Sequence, residues 1–300
     1  MPELHVLAGP NGSGKSSFTQ QVRIGTRTID YTIPPVINPD VIASRMNPND
    51  PDAAALAAGR EAVTARSAAI ARGESFAIET TLSGHAEIRT IHDAIDAGYL
   101  VTMTYIAMKS AELSLLRVLE RAVEETRTVP HDVVLRRYPR SLANLTAVLP
   151  QLDRVDVYDN SASEIRSVAR LDRGRMISVS SDMPAWAAQA LREPLRTARD
   201  RATVARDAIA QLESELTSFT QSVVEEDVSR NAVVAGTIRV KSDQHVAVAT
   251  SPWSFAVCEL QILDREPELL DDVRVEVTNG RGHVHDANDQ KRDRSRKRGR

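Results

Sequence analysis

Cysteine, long apolar runs and net charge are all scarce in this chain of 300 residues. Its one cysteine, Cys258, cannot close an internal disulfide, so a disulfide-stapled secreted scaffold is excluded. The apolar opening Leu4–Ala8 is far too short to cross a bilayer, no later run is long enough, and no charged-then-apolar export signal stands at the start. These absences predict a soluble cytoplasmic protein with no membrane partner. With 38 basic and 41 acidic side chains, the net charge argues neither for nor against a polyanionic partner.

At 42% hydrophobic and 26% charged residues, the chain can bury one or two globular cores. Short β-rich apolar runs alternate with helical stretches up to about residue 180, which predicts an α/β fold with a mostly parallel sheet flanked by helices. The expected strands are Leu4–Ala8, Val36–Asn38, Phe76–Glu79, Leu100–Ala107, Val155–Tyr158 and Met176–Val179. Pro51–Arg72 and Ala111–Glu125 have the composition and spacing of crossover helices.

The pattern changes near residue 185. Ala185–Val228 reads as one long polar helix with a sparse leucine and isoleucine stripe, ended or kinked in its first part by Pro194. Alternating apolar residues in Ala235–Val248, and in Val273–Val284 around Asn279-Gly280, predict a small β unit. Lys291–Arg300 holds seven Lys or Arg and no apolar side chain, the composition of a disordered tail.

The strongest chemical signal lies at the start. Gly9-Pro10-Asn11-Gly12-Ser13-Gly14-Lys15-Ser16 fits G-x-x-x-x-G-K-[ST] between the strand Leu4–Ala8 and the helix-compatible run Ser17–Arg23. Glycines let successive backbone N–H groups turn inward on phosphates, and the helix N-terminus adds its positive end. This predicts ATP with Mg²⁺: Lys15 bridging the β- and γ-phosphates, the Ser16 hydroxyl on the metal, and Ser17 completing the nucleotide site.

A kinase also needs a carboxylate on the acceptor hydroxyl, because positioning and charge neutralisation supply most of the catalysis of phosphoryl transfer. Asp40, after Asn38-Pro39, and Glu79, before Thr80-Thr81-Leu82-Ser83-Gly84, stand where strands should end, and strand ends line the crevice of α/β sheets. The bland alternatives are a helix cap for Asp40 and an exposed strand end for Glu79. Arg117 and Arg121 are four apart on one helix face and could converge on an anion. Arg127 and Arg136 or Arg137 are suited to neutralise the transferring phosphoryl group, the alternative being a solvated basic face.

Taken in order, these segments resemble a zeta-toxin-type P-loop kinase over roughly residues 1–180. They are Gly9–Ser16, Asn38-Pro39-Asp40, Glu79 to Gly84, Arg127 with Val129-Pro130, Arg136-Arg137-Tyr138, and Asp159-Asn160-Ser161. The resemblance implies a toxin that phosphorylates the 3′-hydroxyl of UDP-N-acetylglucosamine and is restrained by an antitoxin protein. It implies Asp40 as general base, Glu79 with Thr80 and Thr81 on the sugar side, and Arg117, Arg121 and Arg137 around the acceptor. Arg127 and Arg136 or Arg137 are implied as phosphate clamps, and Asn160 on the adenine side. Glu124-Glu125-Thr126-Arg127 stands where many relatives carry Gly-Gly-His, so which arginine reaches the γ-phosphate stays open.

The resulting layout is a kinase domain over 1–183, a helical linker over 184–230, a small β domain over 231–286 and a basic tail over 287–300 that could contact nucleic acid. Two rival readings accompany it: a related kinase with another small acceptor, such as a nucleotide or an antibiotic, and a DNA-associated accessory ATPase. The second is disfavoured because Val101–Met108 does not end in the acidic metal-site residue such ATPases carry.

Overall fold

The computed structural model describes residues 1–23, 32–124, 129–215, 223–226, 228, 232–278 and 280–286. The chain forms two compact units, Met1–Pro194 and Leu195–Arg300.

The first unit is built on a six-stranded sheet of β1 (Glu3–Ala8), β2 (Phe76–Thr80), β3 (Leu100–Ala107), β4 (Arg154–Asp159), β5 (Arg166–Asp172) and β6 (Arg175–Val179), in the order β2-β1-β3-β4-β5-β6. The first four are parallel to one another, and β5 and β6 are added antiparallel. β1 and β3 are almost wholly buried, as expected of central parallel strands covered on both faces. One polar side chain interrupts β1: His5 is buried, with Nδ1 at 2.9 Å from Thr102 Oγ1 and Nε2 at 3.3 Å from Thr104 Oγ1.

The helices of this unit are α1 (Lys15–Arg23), α2 (Pro39–Met46), α3 (Pro51–Arg72), α4 (His85–Asp96), α5 (Ala111–Glu124), α6 (His131–Val148) and α7 (Ala185–Ala190). Local chemistry bounds α3 closely: Asp50 Oδ1 accepts from Ala53 N at 3.1 Å, Pro51 opens the first turn, and Gly73 ends the helix at φ 66°. Its small face, Ala58 and Ala62, packs against Ile42 and Ala43 of α2.

Several sequence expectations are corrected here. Val36–Asn38 is no strand: Val36 forms an isolated bridge to Ala77, and Asn38-Pro39 starts a helix at once. β5 is a strand that the expected set lacks: Arg166-Ser167 and Val168-Ala169 stand as like pairs, so the segment shows neither a continuous apolar run nor strict alternation, and it pairs antiparallel. The expected single helix from Ala185 is two, α7 and α8 (Arg192–Glu215), broken at Leu191, and Pro194 is accommodated within the first turn of α8.

The second unit is a six-stranded sheet of β7 (Val224–Glu226), β8 (Ala232–Lys241), β9 (His245–Ser251), β10 (Ser254–Glu259), β11 (Asp272–Thr278) and β12 (Arg281–Asp286), ordered β12-β11-β8-β9-β10-β7. β11 and β12 pair as the expected hairpin, although Asn279 at its turn lies outside the described residues. One side of the sheet gathers Ile238, Val246, Val248, Cys258, Val273 and Val275 into a core. On the other, Ala247, Phe255 and Val257 pack against Val204, Ala208 and Leu212 of α8. Residues 204–212 of the stretch expected as a linker are thus part of this unit's core, with Leu212 and Ile209 of its apolar stripe packed on the sheet.

Candidate active site

β1 lies between β2 and β3, so the loop at its carboxyl end is walled on both sides. Gly9 takes φ 142°, and a Cβ there would stand 1.9 Å from Ile106 O of β3, so no other residue fits. Gly14, at φ 91°, lies against a side chain: a Cβ there would meet Asn160 Nδ2 at 2.4 Å.

The loop ends in Lys15, whose ammonium folds back and donates to Gly9 O at 2.8 Å and Pro10 O at 3.0 Å. Burial pushes this ammonium down to about 8; Glu79 opposes the fall, and Arg121 and Arg137 add to it. Two further loop side chains, Asn11 and Ser13, each hold a buried oxygen with no hydrogen-bond partner among the described residues. Buried polar atoms are normally paired; the Ser13 hydroxyl can donate, so beside an ammonium it suits an anionic ligand, while Asn11 Oδ1 can only accept and calls for a donor.

Ser16, the next residue, donates its hydroxyl to Glu79 Oε1 at 3.0 Å. Glu79 reaches it because β2 lies directly beside β1, with Leu7 paired to Glu79. Beyond Thr80 the chain turns at Leu82, a buried leucine with φ 53°. Such a left-handed non-glycine residue costs on the order of 1–3 kcal/mol and persists only when its surroundings fix it. Here Leu82 N donates to Thr80 Oγ1 at 2.8 Å, and Asn144 Nδ2 of α6 donates to Leu82 O at 2.9 Å.

Asp40 comes from the other side of β2. The cap of α2 is Asn38, whose Oδ1 accepts from Asp40 N at 2.8 Å, and Pro39 occupies the first turn. The Asp40 carboxylate is therefore not used as the cap, and it lines the same cavity as the P-loop. That cavity measures about 450 Å³ and is walled by Lys15, Ser16 and Ser17, by Asp40, Glu79, Thr80 and Thr81, and by Arg117, Arg121 and Asn160.

Arg117 is fixed by donating Nη2 to Ala162 O at 3.1 Å. Asn160 donates Nδ2 to Ser13 O at 2.9 Å, tying the loop after β4 to the P-loop. A second cavity of about 200 Å³ shares Gly14, Ser17, Gln21 and Asn160 with the first and adds Phe18 and Ser163 to Ile165.

The zeta toxin family model matches residues 1–170. The chain belongs to the zeta toxin family. An uncharacterized protein of Haemophilus influenzae is 34% identical to it over 133 residues, which are 43% of this chain and 88% of that protein. Among solved structures it is similar to a chain of the PezAT chromosomal toxin-antitoxin system of Streptococcus pneumoniae, at 19% identity and TM-score 0.44, covering 67% of this chain and 85% of that one. A chain of the AvrRxo1-ORF1:-ORF2 complex with ATP aligns at 19% identity and TM-score 0.46, covering 80% and 69%.

Within this zeta-toxin-type P-loop kinase, most of the expected site residues converge, but the arginines divide. Arg117 and Arg121 of α5 line the main cavity, and the charge of Arg137 is felt at Lys15. Arg136, one position away on α6, points to Asp132 instead, with Nη1 at 3.7 Å from Oδ2. Arg127 lies outside the described residues. Neighbouring Tyr138 is anchored by its hydroxyl, which donates to Met108 O.

Gln21 and Ser163 to Ile165 were missed from the sequence. Gln21 follows Ser17 by one helical turn, which was signal enough to find it. Nothing in the run Ser163–Ile165 marks it locally. As for a membrane, no helix among the described residues is long and apolar enough to cross one.

Proposed function

We propose that this ATP-dependent kinase transfers the γ-phosphate of Mg²⁺-ATP to a hydroxyl of an anionic small molecule, the 3′-hydroxyl of UDP-N-acetylglucosamine being the acceptor its family membership favours. The observation that carries the reading is the cavity of about 450 Å³ lined together by Lys15, Ser16, Asp40, Glu79, Arg117 and Arg121. Phosphoryl transfer needs a triphosphate cradle, a base on the acceptor hydroxyl and cations on the moving charge, and all three face one space.

In this reading Lys15 leaves its two loop carbonyls for the β- and γ-phosphates, and the orphaned oxygen of Ser13 finds a phosphate oxygen to donate to. The hydroxyl of Ser16 and the carboxylate of Glu79 are hard oxygen donors in mutual contact, a set that fits Mg²⁺. When bound, the metal neutralises charge on the β- and γ-oxygens. Asp40 takes the proton of the acceptor hydroxyl as it attacks. Thr80 and Thr81 contact the acceptor, and Arg117 and Arg121 neutralise its phosphates, while Arg137 reinforces the field over the γ-phosphate. The smaller cavity beside Asn160 takes the adenine; Arg127, Arg136 and the antitoxin partner remain part of the proposal on the family's pattern, and nucleic-acid contact by the tail on its basic composition.

Incubating the protein with ATP, Mg²⁺ and UDP-N-acetylglucosamine and weighing the products tests it. A nucleotide sugar heavier by one phosphoryl group supports the full reading. Phosphorylation of a different nucleotide or of an antibiotic, with the sugar untouched, keeps the kinase and moves the acceptor.

A further inference from the structure

The loop that carries Asn160 is held from outside the stretch that matches the family. Asp159, the last residue of β4, is buried, and four groups surround its carboxylate. Ser161 N donates to Oδ1 at 3.1 Å, Ser161 Oγ donates to Oδ2 at 3.0 Å, and Arg166 Nε stands 3.7 Å from Oδ1. The fourth is the indole of Trp186, whose Nε1 donates to Oδ2 at 2.8 Å. Trp186 belongs to α7, beyond the family match over residues 1–170. Its ring also packs near Tyr105 of β3, with centroids 6.1 Å apart.

Each further link leads toward the nucleotide. Ser161 Oγ accepts from Lys109 N at 2.7 Å, and Asn160 N donates to Ala107 O at 2.8 Å, so the loop is stitched to the end of β3. The Asn160 side chain then reaches Ser13 O and walls both cavities. Trp186 itself lines neither cavity. Its own helix is secured at the other end, where Thr146 Oγ1 of α6 donates to Ala190 O at 3.0 Å. A buried carboxylate that loses one donor keeps its desolvation cost, so its neighbours shift to find another partner.

We infer that Trp186 is a positioning residue for the nucleotide: by holding Asp159 it fixes the Asn160–Ile165 loop against the base side of the ATP site. This rests on the kinase reading above and adds a contribution from the segment after the catalytic family region. It concerns the base before the triphosphate, because Lys15, Ser16 and Glu79 are held by contacts that do not pass through Asp159, and the loop meets the P-loop at the Ser13 carbonyl and not at its hydroxyl.

The test compares wild type with Trp186→Phe, which keeps a buried ring and removes the donor, and with Asp159→Asn, which approaches the same bond from the other side. Dissociation constants for ATP and for inorganic tripolyphosphate are measured, with KM and kcat where turnover is followed. Both variants are expected to bind ATP about fivefold or more weakly, since a hydrogen bond to a charged group is lost. Tripolyphosphate affinity and kcat stay at the wild-type level. Unchanged ATP affinity in Trp186→Phe overturns the inference, and so does an equal loss for ATP and tripolyphosphate, which marks a general collapse of the loop. If Trp186→Phe fails to fold, Trp186→His, which keeps a ring that can still donate an N–H, takes its place: ATP affinity nearer wild type than in Asp159→Asn supports the inference, and a loss as large as in Asp159→Asn overturns it. A wild type that binds neither ligand overturns the kinase reading itself.

Discussion

The Ser16 hydroxyl meets the Glu79 carboxylate at 3.0 Å, joining the P-loop to the end of the strand beside it. The same carboxylate supports the charge of the Lys15 ammonium. Glu79→Gln is therefore expected to raise the Mg²⁺ concentration needed for half-maximal activity about tenfold, by loss of a charged oxygen donor. A Mg²⁺ titration of activity checks this. An unaltered metal requirement with a raised acceptor KM would return Glu79 to the sugar side.

Lys15→Ala is expected to reduce phosphoryl transfer by a factor on the order of 10² to 10³, because the ammonium that neutralises the phosphates is gone. In the wild type the lysine is held near 8 by burial, so it loses its charge as pH rises through that value in the free protein. ATP affinity should accordingly decline above about pH 8 and be accompanied by proton uptake, which calorimetry in buffers of different ionisation enthalpy detects. Growth inhibition that survives Lys15→Ala would break the link between toxicity and phosphoryl transfer.

Asp40→Asn keeps the shape and the Asn38 cap but removes the base. Turnover should fall by a factor on the order of 10² or more while ATP affinity stays near normal. Loss of ATP binding instead, measured by equilibrium titration, would make Asp40 a metal ligand.

How far these residues could be read in advance follows from how local their signals are. The P-loop and the parallel core strands are legible because motif, apolar run and helix stand next to one another in the chain. The contact of Ser16 with Glu79 spans 63 residues and appears only once β2 is laid beside β1. Arg136 and Arg137 are indistinguishable in sequence, yet the first pairs with Asp132 while the charge of the second helps to lower the Lys15 ammonium. The α8 stripe was visible, but the surface it covers is made by strands encoded more than thirty residues later. Its partner could not be read from the helix alone.

His5 makes stability depend on acid. Burial pushes its imidazole down from 6.5 to about 4, Asp156 opposing the fall and Arg154 adding to it. The folded state thus keeps His5 neutral where the unfolded chain has already taken up a proton, so this contribution is intact above pH 6.5 and lost as pH falls toward 4. The loss amounts to about 3 kcal/mol at the acid end. Urea midpoints across this range should fall less steeply for His5→Phe than for wild type, and parallel slopes would assign the acid sensitivity to other groups.

A chain ending at Pro194 retains Trp186, Ala187 and Leu191 in their buried places, whereas one ending at residue 183 removes all three. The chain ending at Pro194 is expected to match the full-length protein in ATP affinity and turnover, and the one ending at residue 183 to have lost ATP affinity. A large rise in activity on deleting residues 195–300 would instead show that the second unit restrains the kinase.

The single cysteine of this chain sits on β10 in the core of the second unit, in the same apolar cluster as Ile238, Val248 and Val275. Burial pushes its thiol up to about 11, so at neutral pH it is both shielded and protonated. Reagents that require the thiolate can reach it only when that core opens. The rate at which Cys258 is labelled is therefore a clock for opening of the second unit alone, readable in the intact protein with the kinase at work.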